Sequence, residues 1–234
     1  MSGYSSKDPK EHQAEENSIL RITGNLLVRL GASNRLPRGV VWFPKNLDPD
    51  KPTLFLGRLR LREALRGKLT EEEWTALLAS SLLLNTRMRK KLLLVNWTAI
   101  ILSFLGFGLF VWFLLPAIGS HLPPNLSHSP WAGGVIVFPL LGFFFLFTRV
   151  TGPMRKSLRF RADETVASEL GMGAELLRTL RKIDGMSLDS DRHPSRFGRP
   201  SISQRIARLS RFVDKVQQGK SESAQHVHDH AQEK

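Results

Sequence analysis

The segment Thr70-Glu71-Glu72-Glu73-Trp74-Thr75-Ala76-Leu77-Leu78-Ala79-Ser80-Ser81-Leu82-Leu83-Leu84-Asn85 opens on a hydroxyl residue and carries a carboxylate three positions later. That spacing predicts a capping box, in which Thr70 accepts from an otherwise unpaired N–H while Glu73 reaches back to the cap. The helix so started is apolar almost all round and has no face to give to water, so it must be buried. Arg87, Arg89, Lys90 and Lys91 follow at once, and beyond them two long hydrophobic segments flank a short proline-containing loop. Thr70 to Val150 therefore reads as a soluble-domain helix joined directly to a membrane hairpin.

The first hydrophobic segment, about 92–118, contains no charged residue. It is long enough to cross a hydrocarbon core of about 30 Å. The second, 131–149, sits at the lower limit of length, and Trp97, Trp112 and Trp131 are the expected interfacial aromatics. Arg149, Arg155, Lys156, Arg159 and Arg161 lie after the second segment, whereas the loop 120–130 has neither Lys nor Arg. By the positive-inside rule both termini and the soluble body are expected on the cytoplasmic face. The formal net charge of +13 points to an anionic partner. Its concentration beside the spans favours phospholipid headgroups, at about 1 kcal/mol per basic residue, over nucleic acid, which is not expected as a partner. Arg87, Arg89, Lys90, Lys91, Arg149, Arg155 and Lys156 form the predicted membrane-surface set.

The rest of the 234 residues is polar and basic, and cysteine is absent, which excludes disulfides, thiolate metal sites and a cysteine nucleophile. Residues 1–17 read as a solvated arm without the apolar stretch of a signal peptide. Ile19 to Leu30 has the three- and four-residue spacing of an amphipathic helix. Val40-Val41-Trp42-Phe43 and Thr53-Leu54-Phe55-Leu56 read as two short strands, and Leu59 to Leu65 as a helical turn or two. Arg161 to Ile183 predicts a second amphipathic helix interrupted at Gly171 and Gly173, followed by a polar loop from Ser187 to Pro200. Ser201 to Val216 predicts a final helix with Ile202, Ile206, Leu209 and Val213 on its buried side and Arg205, Arg208 and Arg211 mostly elsewhere. The tail 217–234 is expected to be unstructured. The class is mainly α with a small β-sheet (α+β). Residues 18–90 and 151–216 form the two parts of one cytoplasmic domain, interrupted by the hairpin at 91–150.

Three stretches resemble the HtpX-like membrane zinc metalloproteases, a family that includes the CAAX prenyl proteases and the Oma-type proteases. Leu69 to Ala79 looks like the approach to that family's H-E-x-x-H helix. Arg159-Phe160-Arg161-Ala162-Asp163 is similar to the E-F-x-A-D segment that carries the third ligand. His193-Pro194, with Gln204-Arg205-Ile206-Ala207-Arg208-Leu209, resembles the closing H-P-P and E-R-I-x-x-L segments. The resemblance spans roughly Gly24 to Val213 and implies a metalloprotease-like domain interrupted by a membrane hairpin.

Carried over residue by residue, the resemblance puts Ser80 and Ser81 where the first His and the catalytic Glu belong, Leu84 at the second His, and Arg159 at the third ligand. A zinc hydrolase needs two imidazoles one turn apart, a neighbouring carboxylate and a third donor. Two hydroxyls, an alkyl group and a guanidinium cannot supply them, so neither a metal nor another cofactor is expected. His121 and His128 fall in the loop outside the membrane, and His193 reads as a turn residue. His226, His228 and His230 could chelate a divalent ion weakly. Ser80 and Ser81 have no histidine placed to activate them, and buried helical serines usually bond to the carbonyl four residues back. The expectation is an inactive, membrane-anchored pseudoprotease that serves as a structural or accessory subunit, or as a regulator, of a membrane-protein complex. The alternatives are an active zinc endopeptidase with an unorthodox site and a membrane-tethered binder of anionic lipid or nucleic acid.

Overall fold

The computed structural model describes residues 9–44, 47–114, 116, 131–186, 188 and 200–232. Among these residues six α-helices, α1 (Pro9–Arg29), α2 (Glu71–Thr86), α3 (Arg89–Leu109), α4 (Trp131–Glu169), α5 (Gly173–Gly185) and α6 (Ile202–Gln232), accompany three strands, β1 (Gly39–Phe43), β2 (Thr53–Phe55) and β3 (Arg58–Arg62). The fold is mostly helical with one small sheet, an α+β arrangement. Two compact units divide the chain: 1–89 with 158–194 and 200–234, and 90–157 with 195–199.

In the first unit α2 is the core. Thr70 Oγ1 accepts from the Glu73 N–H at 3.3 Å, and the Glu73 carboxylate accepts from the Thr70 N–H at 2.9 Å, which completes the expected capping box. Glu73 also pairs with Lys182 of α5 at 2.8 Å. Ala76, Leu77, Leu78 and Ala79 are fully buried, and Trp74 packs edge-on against Trp42 with ring centroids 6.2 Å apart. Helix α2 packs against α1, α5 and β2, so it is covered on several sides, as its uniform apolarity requires.

Helix α1 buries Ile19, Thr23, Leu26 and Leu27, one helical stripe. It ends in a Schellman motif: Ala32 N–H bonds to Leu27 O at 2.8 Å, Gly31 N–H bonds to Val28 O at 3.0 Å, and Gly31 adopts φ +69°. Its start corrects the expectation of a solvated arm through residue 17, because the helix begins at Pro9 and two of its acidic residues, Glu15 and Glu16, have partners. Glu16 accepts from Trp42 Nε1 at 2.7 Å and from Arg66 at 2.8 Å, and Glu15 accepts from the Gly67 N–H.

The sheet order is β1-β3-β2, with β1 parallel and β2 antiparallel to β3. Both expected strands are present. The segment expected to be helical from Leu59 is instead the central strand, followed by a single 3-10 turn at Glu63–Leu65. Arg58-Leu59-Arg60-Leu61-Arg62 alternates with period two, so Leu59 and Leu61 are buried while the Arg60 guanidinium lies over the Phe55 ring at 4.3 Å.

Gly171, at φ +70°, separates α4 from α5, which is the expected interruption. Ser201 caps α6, and Gln204 returns a bond to the Ser201 N–H, a second capping box. Helix α6 runs to Gln232, whereas an unstructured tail is expected from Gln217. Residues 217–232 contain no proline, and four Gln and two Ala are among them, so a helix already nucleated upstream can continue through the single Gly219.

In the second unit α3 is long and apolar enough to cross a membrane, and Leu94, Trp97, Phe104 and Trp112 are exposed along it and its π-helical continuation (Phe110–Leu114). Arg155 of α4 donates to Asn96 of α3 at 2.7 Å. The second expected span is helical, but the side chains at 131–141 lie outside the described residues, as do the loop 117–130 and most of the loop expected from Ser187 to Pro200.

A Cβ added at Gly173 would lie 2.9 Å from Ala167 Cβ and 3.0 Å from Val213 Cγ2, whereas one added at Gly185 meets nothing within 4 Å. Gly173→Ala should therefore destabilise the first unit by about 1–3 kcal/mol. Gly185→Ala should change stability by less than about 0.5 kcal/mol. Thermal unfolding of the detergent-solubilised full chain distinguishes the two.

Candidate functional site

Ser80 and Ser81 sit in the buried middle of α2, where the surrounding leucines exclude water. Three other segments bring polar groups to them: Asp50 from the β1–β2 loop, Arg159 and Asp163 one turn apart on α4, and Arg205 from the first turns of α6. Arg205 is fully buried and spends every nitrogen of its guanidinium. Nε and Nη2 donate to the two carboxylate oxygens of Asp163 at 2.8 and 2.7 Å. Nη1 donates to Asp50 Oδ2 at 2.5 Å, and Nη2 also donates to Ser80 Oγ at 3.2 Å. The Ser80 hydroxyl in turn donates to Asp163 Oδ1 at 2.5 Å. Arg159 Nη2 donates to the Asp50 carbonyl at 2.7 Å and to Ser81 Oγ at 3.4 Å, while its Nη1 is buried without a hydrogen-bond partner.

Two guanidinium cations and two carboxylates give this cluster a net charge near zero, a condition a buried charged site has to approach. Burial alone would push the Asp163 carboxyl up, but Arg205, its hydrogen bonds and Arg159 together hold it below the ordinary carboxylate value. Burial opposes the charged form of Arg205 too, and Asp163 with Asp50 more than compensates, so its affinity for the proton rises. Arg159 fares differently: burial, then repulsion from Arg205, bring it down to about 10, which leaves it protonated at neutral pH.

Three of the four positions singled out by the resemblance, Ser80, Ser81 and Arg159, therefore meet in one place. Leu84 is buried but makes no polar contact in the cluster. The expectation that the serines turn back to their own helix is corrected for Ser80, because a carboxylate in reach is the stronger acceptor. Arg205, expected to face mostly away from the buried side, is its centre. The signal for it was present, since Arg205 lies three residues after Ile202 and four before Leu209, both buried. Asp50 had no such signal, because nothing in a polar loop announces which distant side chain it will meet.

The donor set does not fit zinc. Neutral hydroxyls already engaged in hydrogen bonds are poor zinc ligands, and the Arg159 guanidinium has no lone pair to give and repels a cation. Among the described residues no group of three or more His, Cys, Asp or Glu side chains could hold a metal ion. His121, His128 and His193 lie outside the described residues; His226, His228 and His230 fall on the helical continuation of α6, with side chains outside them.

The basic set expected at the membrane surface has mixed surroundings. Arg87 pairs with Glu169 at 2.5 Å and Arg155 with Asn96, while Arg89, Lys90, Lys91 and Arg149 are exposed. Trp97 and Trp112 are exposed, and the Trp131 side chain lies outside the described residues.

Asp163→Asn should cost about 3–5 kcal/mol, because it leaves Arg205 charged and buried with half its compensation. The double variant Asp163→Leu/Arg205→Met should cost clearly less than the sum of its single changes, measured as the coupling in a double-mutant cycle of chemical unfolding. Because the folded-state value of Asp163 is depressed, its contribution is fully present above the ordinary value of 3.8 and is lost as pH falls through the lower folded-state value. Acid unfolding should accordingly be shallower in Asp163→Asn than in the parent chain. Comparison with protein-family models, with curated proteins and with solved structures finds no significant match for this chain.

Proposed function

We propose that this chain is a membrane-anchored pseudoprotease, a relative of the HtpX-like zinc metalloproteases that has exchanged its metal for an ion-pair network and acts by binding, as an accessory subunit or regulator of a membrane-protein complex. The observation that carries the reading is the position of Arg159. A fixed cation donates to Ser81 and to the Asp50 carbonyl from the place where the family pattern puts its third zinc ligand. Elements distant in sequence that a shared metal would otherwise tie together are tied here by Arg205 and Arg159.

No step of hydrolysis follows from these groups. A general base would need an acceptor free to take a proton near neutral pH, and Asp163 is committed to Arg205 and held well below that range. Ser80 donates its proton to the same carboxylate, and among the described residues no imidazole bonds to it. The membrane part of the proposal is a two-span hairpin, with α3 and the first half of α4 in the bilayer and both termini on the cytoplasmic face. Its support is the apolar length of α3 and the Lys/Arg asymmetry about the loop 120–130.

The test is metal analysis of the full chain purified in mild detergent, beside the His226→Ala/His228→Ala/His230→Ala variant, with casein as the peptidase substrate. Substoichiometric zinc in both proteins and no cleavage are expected. Stoichiometric zinc in the triple variant, together with casein cleavage that a chelator abolishes, would overturn the reading in favour of an active peptidase.

A further inference from the structure

The β2–β3 hairpin turns on Leu56 and Gly57, and Leu56 takes φ +49° with 85% of its surface exposed. A two-residue turn of this kind ordinarily uses Asn or Asp at the first position, because those side chains tolerate the left-handed region and water. Leucine is unfavourable here on both counts. Phe55 and Leu36 beside it are also more than half exposed, so three large apolar side chains share one rim.

Behind that rim is a cleft of about 580 Å³, walled by the hairpin, the turn after α1 and the end of α2. Arg35, Arg38 and Arg89 line it, and no acidic residue does. Arg35 uses one donor on the Asn85 carbonyl at 3.2 Å. Arg38 and Arg89 make no side-chain hydrogen bond or ion pair with any described residue. Three arginines lining one cleft without a carboxylate favour an anion there, and guanidinium geometry suits the paired oxygens of a phosphate. Arg89 is also the first residue of α3, so one of the lining arginines stands where the chain enters its apolar helix.

We propose that this cleft binds the phosphate headgroup of an anionic phospholipid, with Leu56, Phe55 and Leu36 seated among the lipid chains at the bilayer surface. The assignment rests on the membrane reading above and adds to it a defined lipid site. Charge without a neighbouring apolar rim would suit a soluble phosphate; an apolar rim without charge would suit a protein partner. The combination, at the foot of α3, matches a lipid, whose phosphate and acyl chains are covalently joined.

The chain has no cysteine, so Leu56→Cys gives a single labelling site for an environment-sensitive fluorophore on the full-length protein. It would be reconstituted in nanodiscs of phosphatidylglycerol or of phosphatidylcholine, each containing acyl-brominated lipid as quencher. Glu72→Cys, about 20 Å along α2 from Asn85, serves as the control position. Quenching at position 56 in phosphatidylglycerol discs, weaker quenching in phosphatidylcholine discs and none at position 72 are expected. Arg38→Glu/Arg89→Glu should lower phosphatidylglycerol retention, followed by native mass spectrometry, by about tenfold. Equal retention by that variant and the parent would overturn the proposal, as would free glycerol phosphate binding as tightly as the lipid, or an unquenched label at position 56. Resistance to alkaline extraction is scored separately: a chain that stays inserted while Arg38 and Arg89 prove dispensable refutes the lipid site alone, and a chain that is extracted refutes the membrane reading beneath it.

Discussion

The Arg205–Asp163 pair is the constraint on which the first unit depends. An ion taken out of water loses several kcal/mol of solvation, and only a partner with good geometry restores it. Here the partner is bidentate, and Asp50 and Ser80 supply the remaining acceptors. A lysine could not replace this arrangement, because its point charge cannot reach acceptors from three separate segments in one plane. The cluster fixes the β1–β2 loop, α2, α4 and α6 relative to one another. Misplacing any one of them leaves a buried charge uncompensated, at a cost of about 3–5 kcal/mol against a total stability of about 5–15 kcal/mol for an ordinary domain. Four segments far apart in sequence are therefore fixed to one another by charge geometry as well as by apolar packing.

What the sequence made legible was local. Thr70 with Glu73 and the all-round apolarity of residues 74–84 specify a capped, buried helix without reference to anything distant, and both features hold in the structure. The Arg58-Leu59-Arg60-Leu61-Arg62 alternation was equally local, yet a window extended through Leu65 mixes a period-two strand with the 3-10 turn that follows and imitates a short helix. The first turns of α1 could not be read from composition, because they are held by Glu15 and Glu16 bonding to Gly67, Arg66 and Trp42, residues far away in the chain. The cluster was half visible. Ordering Ser80, Ser81 and Arg159 against a family pattern placed them together, but that Asp163 and Asp50 would close the charge around Arg205 depends on distances no spacing encodes.

The two apolar helices on either side of Arg87 and Met88 obey opposite rules. Helix α2 hides its leucines almost completely, whereas α3, begun only two residues later, leaves Leu94, Trp97, Leu102, Phe104 and Leu105 more than half exposed. At about 25 cal/mol for each Å² of apolar surface, such exposure is unfavourable in water and costs nothing in hydrocarbon. A core helix of a soluble protein would show the burial of α2. The contrast within one continuous stretch of chain supports the membrane anchoring proposed above, in which the two helices face different solvents.

The same division is visible along α4. Arg155 and Arg159 are one turn apart on one helix, yet Arg155 bonds to Asn96 on α3 while Arg159 bonds to Asp50 and Ser81 in the buried cluster. No loop intervenes between the two arginines, and only Arg87 and Met88 separate α2 from α3. The passage from one unit to the other therefore falls within a single turn of α4 rather than in a loop. Thr151-Gly152-Pro153 is the exception within α4, since Pro153 cannot donate to the carbonyl one turn back. Any bend of α4 is therefore easiest at Pro153, where the missing hydrogen bond has already been given up, and not at Arg159 and Asp163, where it would strip Arg205 of its carboxylate.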